Sequence, residues 1–229
     1  MYRVEDKFLV SEKELMIIQS KLETILCKDQ NQMGQDGYNI ASVYFDDNMD
    51  TCYRDAEDGI RMRKKYRIRV YDHSFDTIKL EVKYKWNNRV MKKSQTISGQ
   101  QMKELMEGQP LWGEKESVDS AITLFNVGIA KDMLRPKVIV EYERTAFIYE
   151  PGNVRITLDR NIRASNDLQS FAEQREWSCD PVYENDCVLE VKYDEFLPGF
   201  IARVLENGNM IQTAYSKYRI CREREGRFL

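Results

Sequence analysis

The chain has 229 residues and a net charge of −3, with 35 Lys and Arg against 38 Asp and Glu, so it is long enough to build a sizeable core in one domain. No run of about 18 uncharged apolar residues is present and an alternating pattern starts directly at Tyr2, which predicts a cytoplasmic protein with no signal peptide and no membrane insertion of its own. Five cysteines without a CxxC pair predict reduced thiols, and a single histidine, His73, excludes a multi-histidine metal site and argues against a Ser/His/Asp triad.

The first half of the chain is predicted to combine strands with one long helix. Residues 2–10 alternate as a strand, after which Ser11 and Glu14 form a capping box for an amphipathic helix of about four turns. The acidic run 46–50 predicts a turn, because it lacks the glycine and the terminal glutamate of a calcium loop. Further strands are predicted at 38–45, 60–71 and 76–86, with a short one around 92–95.

The second half is predicted to contain two helices, then strands, then two more helices. Ser98 and Ser117 are candidate N-caps, and Pro151-Gly-Asn153 is a hairpin signal. Helices are predicted at about 98–107, 117–131, 198–206 and 213–224. Strands are predicted at 137–149, 154–161 and 188–193. No repeat, low-complexity tract or linker interrupts this order, which indicates a single domain.

Charged side chains follow the predicted strands at two-residue spacing. Because successive strand side chains point to opposite faces, each such strand has one charged face and one mostly apolar face. The charged face collects thirteen basic and four acidic residues, a local charge of +9, whereas the rest of the chain carries −12. These residues are Arg3, Glu5, Lys7, Arg61, Arg63, Lys65, Arg67, Arg69, Lys79, Glu81, Lys83, Lys85, Arg144, Arg155, Asp159, Glu190 and Lys192.

This concentration of cations predicts a site for a phosphate-rich anion. For any one strand the alternative is the solvated face of an ordinary antiparallel sheet. Like charges side by side destabilise a sheet, so a slightly acidic chain that sorts its cations onto one face indicates a focused anion site. That face has to meet solvent or a water-filled lumen, and closing the sheet into a barrel would gather its charges around one ligand. Nucleic acid is disfavoured, since a duplex could not reach enclosed residues.

Eight short motifs follow one another along nearly the whole chain. They are RVEDKF (3–8), VYFDD (43–47), RIRVY (67–71), LEVKYK (80–85), EYERTAF (141–147), VRITLD (154–159), LEVKY (189–193) and SKY (216–218). In this order they resemble the VTC-type polyphosphate polymerase domain of the CYTH-like triphosphate tunnel metalloenzyme superfamily. Hydrolases and cyclases of that superfamily typically begin with ExExK, and here Arg3 stands at the first position. The change of charge fits the VTC branch better than a two-metal hydrolase.

The resemblance implies an α+β fold, in which a closed, mostly antiparallel eight-stranded β-barrel is decorated with helices. It implies one VTC-like tunnel domain over 1–229, whose lumen binds a nucleoside triphosphate or polyphosphate together with Mn²⁺ or Mg²⁺. By motif, Glu190 is the expected metal ligand. Glu5 and Glu81 are weaker candidates, because they would serve equally well to balance neighbouring lysines.

The expected site residues divide into two further groups. Arginine offers planar forks for phosphate, lysine offers point charges, and Lys217 is expected to close one tunnel mouth. The expected catalytic residues are Arg67, Arg69, Lys83, Arg144 and Lys217. The expected substrate-binding residues are Lys7, Arg61, Arg63, Lys85, Lys93, Tyr142, Arg155, Lys192 and Ser216.

The implied activity is polyphosphate synthesis from a nucleoside triphosphate, with ATP as the expected donor. Phosphoryl transfer depends mainly on positioning and charge neutralisation, which a basic lumen supplies. A tri- or polyphosphatase, in which water attacks in the same site, is the alternative enzyme. A third interpretation is a polyphosphate-binding module without turnover, acting as a sensor or as a partner in a membrane-protein assembly. The sequence leaves the oligomeric state open.

Overall fold

The computed structural model describes residues 2–29, 37–112, 117–183, 187–206 and 210–226. The polar segment 33–37, for which the sequence predicts a loop, lies outside the described residues except for Gly37. Eight long strands form the sheet in this part of the chain, and three two-residue strands lie beside them. The strands are β1 (Arg3–Val10), β2 (Cys27–Lys28), β3 (Tyr38–Asp46), β4 (Met62–Tyr71), β5 (Ser74–Trp86), β6 (Arg89–Ile97), β7 (Arg135–Tyr149), β8 (Val154–Ser165), β9 (Asp180–Pro181), β10 (Cys187–Tyr193) and β11 (Ile211–Gln212).

The described residues also form seven α-helices and a short 3₁₀ turn, Pro151–Asn153, at the predicted hairpin. The helices are α1 (Glu12–Glu23), α2 (Thr51–Glu57), α3 (Gly99–Met106), α4 (Ala121–Asp132), α5 (Leu168–Ala172), α6 (Gly199–Leu205) and α7 (Lys217–Glu225). The capping box of α1 and the Ser98 N-cap of α3 are present as predicted, and Ser98 also forms a capping box with Gln101. Two helix starts differ from the prediction, because Ser120 caps α4 and Ser216 caps α7.

The eight long strands close into a ring. All pairings are antiparallel, and the order β7-β3-β4-β5-β6-β1-β10-β8 returns to β7 through a long β7–β8 pairing. The weakest seam joins β1 to β6 through only two residue pairs, Arg3↔Val90 and Val4↔Arg89. The predicted α+β architecture, with a closed antiparallel ring and surrounding helices, is therefore confirmed. Closure removes the sheet edges and forces one face of every strand inward.

The apolar core lies outside the ring, between the strands and the helices. On one side, α3, α4, α5 and α7 cover the outward apolar residues of β3, β4, β5 and β7. On the other side, α1 and α6 cover β1, β8 and β10. Because the apolar faces are buried there, the charged faces of the strands are left to line the interior of the ring. Among the described residues, no helix is both long and apolar enough to span a membrane.

The acidic run 46–50 starts helix α2, which the sequence did not predict. Buried Asp46 accepts hydrogen bonds from the backbone N–H groups of Cys52 and Tyr53, each at 2.9 Å, and from the hydroxyl of Tyr218 at 2.6 Å. Asp47 accepts from the N–H of Thr51 at 2.9 Å. Carboxylates thus satisfy the free donors of the helix N-terminus and tie it to α7.

Candidate active site

A cavity of about 400 Å³ occupies the interior of the ring. Eleven basic and two acidic side chains line it, together with five tyrosines. The basic residues are Arg3, Lys7, Lys65, Arg67, Arg69, Lys83, Lys92, Arg144, Arg155, Lys192 and Lys217, and the acidic ones are Glu5 and Glu190. The tyrosines are Tyr38, Tyr44, Tyr71, Tyr142 and Tyr218. A strongly cationic interior of this kind raises the local concentration of anions.

Two cavity-lining carboxylates on β1 and β10 are bridged by lysines. Glu190 lies 2.8 Å from Lys7 and 2.9 Å from Lys192, and Glu5 lies 3.7 Å and 3.5 Å from the same two lysines. Lys83 adds a contact of 2.7 Å to Glu5. The surrounding lysines overcome burial and hold the pKa of both carboxyls well below the usual range.

A second ionic cluster joins β7, β8 and α7. Arg144 donates two hydrogen bonds to Asp159, at 2.6 and 2.7 Å, and Lys217 donates to the same carboxylate at 2.5 Å. Lys217 also lies 3.6 Å from Glu190 and 4.8 Å from the centre of the Tyr142 ring. Lys217 is only 7 % exposed, so it lies in the wall of the central cavity.

The backbone beside this cluster is tightly packed. Gly37 lies at φ +95°, and a Cβ atom there would be 2.4 Å from the carbonyl oxygen of Arg144. Arg144 pairs with Tyr38, the first residue of β3, in the strand register. Only glycine tolerates both the backbone conformation and this approach, so Gly37 helps to hold the Arg144 backbone in place.

A third cluster surrounds Glu81, which is almost fully buried behind the cavity wall. Arg67 contacts it at 2.6 Å, Lys92 at 2.5 Å and Arg69 at 3.7 Å. Arg67 also donates to the hydroxyl of Tyr44 at 2.9 Å. Despite burial, the arginines and Lys92 keep the pKa of Glu81 well below its usual range, so it is a fixed anion that orients cations toward the lumen.

The cavity narrows at one end, where cations lack carboxylate partners. A small cavity of about 40 Å³ continues from the central one and is lined by Arg63, Lys65 and Lys85. Among the described residues, none of these three has a carboxylate within ion-pair distance. Lys65 donates to the hydroxyl of Ser216 at 2.7 Å, and burial together with neighbouring cations lowers its pKa well below the usual value. A phosphate would supply the missing negative charge at this narrow end.

The opposite end is wider. A cavity of about 540 Å³ shares Tyr38, Tyr71 and Arg155 with the central cavity. It extends over the turn between β4 and β5 and along the start of β5, where Asp76 and Lys79 line it. The central cavity thus continues at both ends, as expected of a tunnel and not of a closed pocket.

The structure brings most of the sequence-predicted site residues into contact with this lumen. Twelve line the central cavity, Arg63 and Lys85 line its narrow end, and Glu81 lies directly behind its wall. The twelve are Arg67, Arg69, Lys83, Arg144, Lys217, Lys7, Tyr142, Arg155, Lys192, Ser216, Glu190 and Glu5. Two predicted residues lie elsewhere. Arg61 is exposed ahead of β4, and Lys93 points outward, where it pairs with exposed Asp119.

Several lumen residues were missing from the predicted site. Lys92 is one, because β6 is polar on both faces and its alternation does not reveal which face is inside. Lys92 pairs with the lumen residue Lys83 in the strand register, and this pairing places Lys92 on the inner face of β6. Lys65 and Arg3 were assigned to the charged face of the strands, so that assignment was sufficient to predict them as lumen residues. Tyr44 and Tyr218 lacked any such signal, since tyrosine also suits the apolar outer face.

The pair Lys92 and Lys93 gives a direct test of the register of β6. Lys92→Ala is expected to weaken inorganic triphosphate binding about tenfold, because a cation that faces the lumen is lost. Lys93→Ala is the matched control and should leave the affinity unchanged, because its side chain is outside the ring. Isothermal titration calorimetry of both variants measures the difference. A larger loss for Lys93→Ala would contradict the register.

Lys83 is expected to take up a proton when an anion binds. Burial, together with Lys7 and Lys192, lowers its pKa to about 7, although Glu5 and Glu190 act in the opposite direction. A bound phosphate favours the charged ammonium, so the pKa rises on binding and the affinity falls as pH increases through about 7.

Calorimetry in buffers of different ionisation enthalpy measures this uptake. Near about pH 8, wild-type protein should bind roughly one proton more per triphosphate than Lys83→Met does. The variant also corrects for protonation of the triphosphate itself. Equal proton counts for the two proteins would show that Lys83 does not change its protonation state when the anion binds.

The carboxylates of the lumen fit a divalent metal only if the substrate supplies further ligands. In the described part of the chain, no group of three or more His, Cys, Asp or Glu side chains is placed to hold a metal. Glu190 and Glu5 line the cavity and are bridged by lysines, whereas Glu81 is enclosed by Arg67 and Lys92. One or two carboxylates combined with phosphate oxygens is a typical set for Mg²⁺ or Mn²⁺. Glu190 and Glu5 therefore fit, and Glu81 does not.

Comparison with known proteins agrees with this geometry. The family model of the VTC domain matches residues 2–224. The chain belongs to the VTC domain family. A search of curated proteins gives no match to this VTC domain.

Two solved structures share the fold of this VTC domain. A putative adenylyl cyclase from Hippeastrum, described as having a dominant triphosphatase activity, aligns with a TM-score of 0.55 and 13% identity, over 97% of this chain and 95% of that chain. A putative adenylate cyclase from Bacillus halodurans aligns with a TM-score of 0.50 and 18% identity, over 83% of this chain and 79% of that chain. At this level of identity the similarity concerns the fold.

Proposed function

We propose that this VTC domain is a metal-dependent polyphosphate polymerase that transfers phosphoryl groups from a nucleoside triphosphate, ATP in the first instance, to a polyphosphate chain. One observation carries the proposal. A closed ring gathers eleven cations around a single cavity that continues at both ends. A tunnel accommodates a linear polyanion that has to advance as it grows, and a closed pocket would not.

The proposed reaction forms one phosphoanhydride bond and breaks another. A terminal oxygen of the polyphosphate attacks the γ-phosphorus of the nucleotide, and the bond from that phosphorus to the β-bridging oxygen breaks, so that a nucleoside diphosphate leaves. The protein has to align the two anions and offset their repulsion. Arg67 and Arg69 of β4 and Arg144 of β7 provide planar N–H forks that line the lumen.

The carboxylates preorganise these cations. Asp159 holds Arg144 and Lys217 side by side, and Glu81 holds Arg67. Since the donors are fixed before substrate arrives, little reorganisation is needed as charge develops in the transition state. A divalent metal, held by Glu190 with Glu5 beside it, would supply additional charge neutralisation on the phosphates.

Hydrolysis is the second candidate, in which water replaces the polyphosphate oxygen as nucleophile. The fold similarity to the Hippeastrum protein with triphosphatase activity favours it. The residue at position 3 argues against hydrolysis. Arg3 lines the cavity at the place where the superfamily's hydrolases typically have the first glutamate of ExExK. The alternative without turnover is a polyphosphate-binding module.

The deciding experiment incubates the purified protein with ATP and Mn²⁺ and follows two products. Long polyphosphate on a gel, with release of nucleoside diphosphate and little free phosphate, is the result expected of a polymerase. Stoichiometric free phosphate without polymer would establish the hydrolase. Binding of triphosphate without formation of either product would indicate a polyphosphate-binding module without turnover. A reaction without metal controls for metal dependence.

A further inference from the structure

A second cavity, of about 340 Å³, lies on the outer side of the β4–β5 pair near the narrow end of the tunnel. One part of its wall is aromatic and apolar. These residues are Tyr2, Met62, Tyr66, Tyr84, Trp86, Cys52 and Leu134. Another part is polar, with Thr51 and three carboxylates, Asp47, Asp55 and Asp132. The size and the mixed lining are those of a small-molecule site.

The aromatic wall is unusually open to solvent. Met62 is 71% exposed and Trp86 is 54% exposed, and the Trp86 ring meets the ring of Tyr2 edge to face at 6.4 Å. Lys64 covers the Tyr84 ring at 5.6 Å, so Trp86 offers the better face for stacking. Large apolar side chains grouped in the open beside a polar rim are typical of a binding surface.

The second cavity, called the groove from here on, shares two cations with the tunnel. Arg63 and Lys85 line both the groove and the narrow end of the lumen. Arg63 is nine-tenths buried and its Nε atom has no hydrogen-bond partner, although its Nη1 atom donates to the carbonyl of Ala56 at 3.2 Å. The next cation inward is Lys65, which also lacks a carboxylate within ion-pair distance in the described part of the chain. Cations without a carboxylate partner therefore line the route from the groove to the lumen.

We propose that the groove binds the base and sugar of the nucleoside triphosphate, while its phosphates pass Arg63 and Lys85 into the tunnel. This inference rests on the proposed function of the lumen. The flat base stacks on Trp86, and an exocyclic amino group donates to a carboxylate on the opposite wall. Adenine has such an amino group and uracil does not, so the groove selects ATP over UTP. Inorganic triphosphate uses the lumen alone.

The test measures the affinities of ATP, UTP and inorganic triphosphate for wild-type protein and three variants. Trp86→Ala is expected to weaken binding of ATP about tenfold and to leave the affinity for inorganic triphosphate unchanged. Trp112→Ala, which removes a tryptophan that is 86% exposed and lies outside both cavities, is the matched control and should change neither affinity. Wild-type protein should also bind ATP more tightly than UTP, and Asp132→Asn should reduce that preference. Calorimetry without metal avoids any turnover.

The outcomes separate this inference from the proposed function. If wild-type protein binds triphosphate but Trp86→Ala changes the ATP and triphosphate affinities equally, or changes neither, the base site is overturned and the tunnel function stands. If wild-type protein binds neither ATP nor triphosphate, both are overturned. A selective loss of ATP affinity, with triphosphate unchanged, establishes the groove as the nucleoside site.

Discussion

Replacing Glu190 with glutamine is expected to lower metal-dependent turnover by about 10²–10³-fold while the protein stays folded. Glu190 is 5% exposed in the wall of the lumen, between Lys7, Lys192, Lys217 and Arg144. The amide has nearly the same shape as the carboxylate but removes the anionic oxygen that a hard metal requires. Activity is measured as polymer formed or phosphate released over a Mn²⁺ titration.

Binding without metal distinguishes loss of a metal ligand from structural damage. Glu190→Gln adds one unit of positive charge to the lumen, so metal-free triphosphate should bind at least as tightly as to wild-type protein. Glu143→Gln, on the outer face of β7, is the matched control and should retain full activity. Near-normal turnover of Glu190→Gln at saturating Mn²⁺ would mean that this carboxylate does not hold the metal.

Lys217→Ala is expected to reduce the rate of polymer formation by about 10²–10³-fold, with a much smaller loss of triphosphate affinity. Lys217 of α7 contacts Asp159 of β8 at 2.5 Å and also lies near Glu190 of β10 and Tyr142 of β7. Its ammonium group therefore lies where α7 meets three strands. Ten other basic side chains remain around the cavity and maintain ground-state binding. We propose that the Lys217 ammonium contacts the reacting phosphate, where no other charge would replace it.

Rate and affinity have to be measured on the same preparation. Lys217→Arg should recover part of the rate, because the charge is kept, and Lys103→Ala on the exposed surface of α3 controls for loss of a helix lysine. Equal losses of rate and affinity in Lys217→Ala would make Lys217 a binding anchor only. No loss of either would remove it from the site.

The strand pattern by itself determined which face of each strand carries the charges. Arg63, Lys65, Arg67 and Arg69 occupy every second position of β4, and the outward residues that alternate with them include buried Ile68 and, after Arg69, buried Val70. Since a strand has a period of two, burial of the apolar face under helices leaves the cations no other direction than inward. The same logic placed Glu5, Lys83 and Glu190 without any tertiary information.

Only the tertiary structure decided which charges meet. Closure brings Lys65 to Ser216, 151 positions away, and Lys217 to Asp159, 58 positions away. In β6 both faces are polar, so local alternation could not choose between Lys92 and Lys93, and pairing with β5 did. Helix α2 likewise depends on Asp46, whose carboxylate is buried by packing against Tyr218 of α7. Periodicity fixes the direction of a side chain, whereas its partners depend on strand register and ring closure, which join residues distant in sequence.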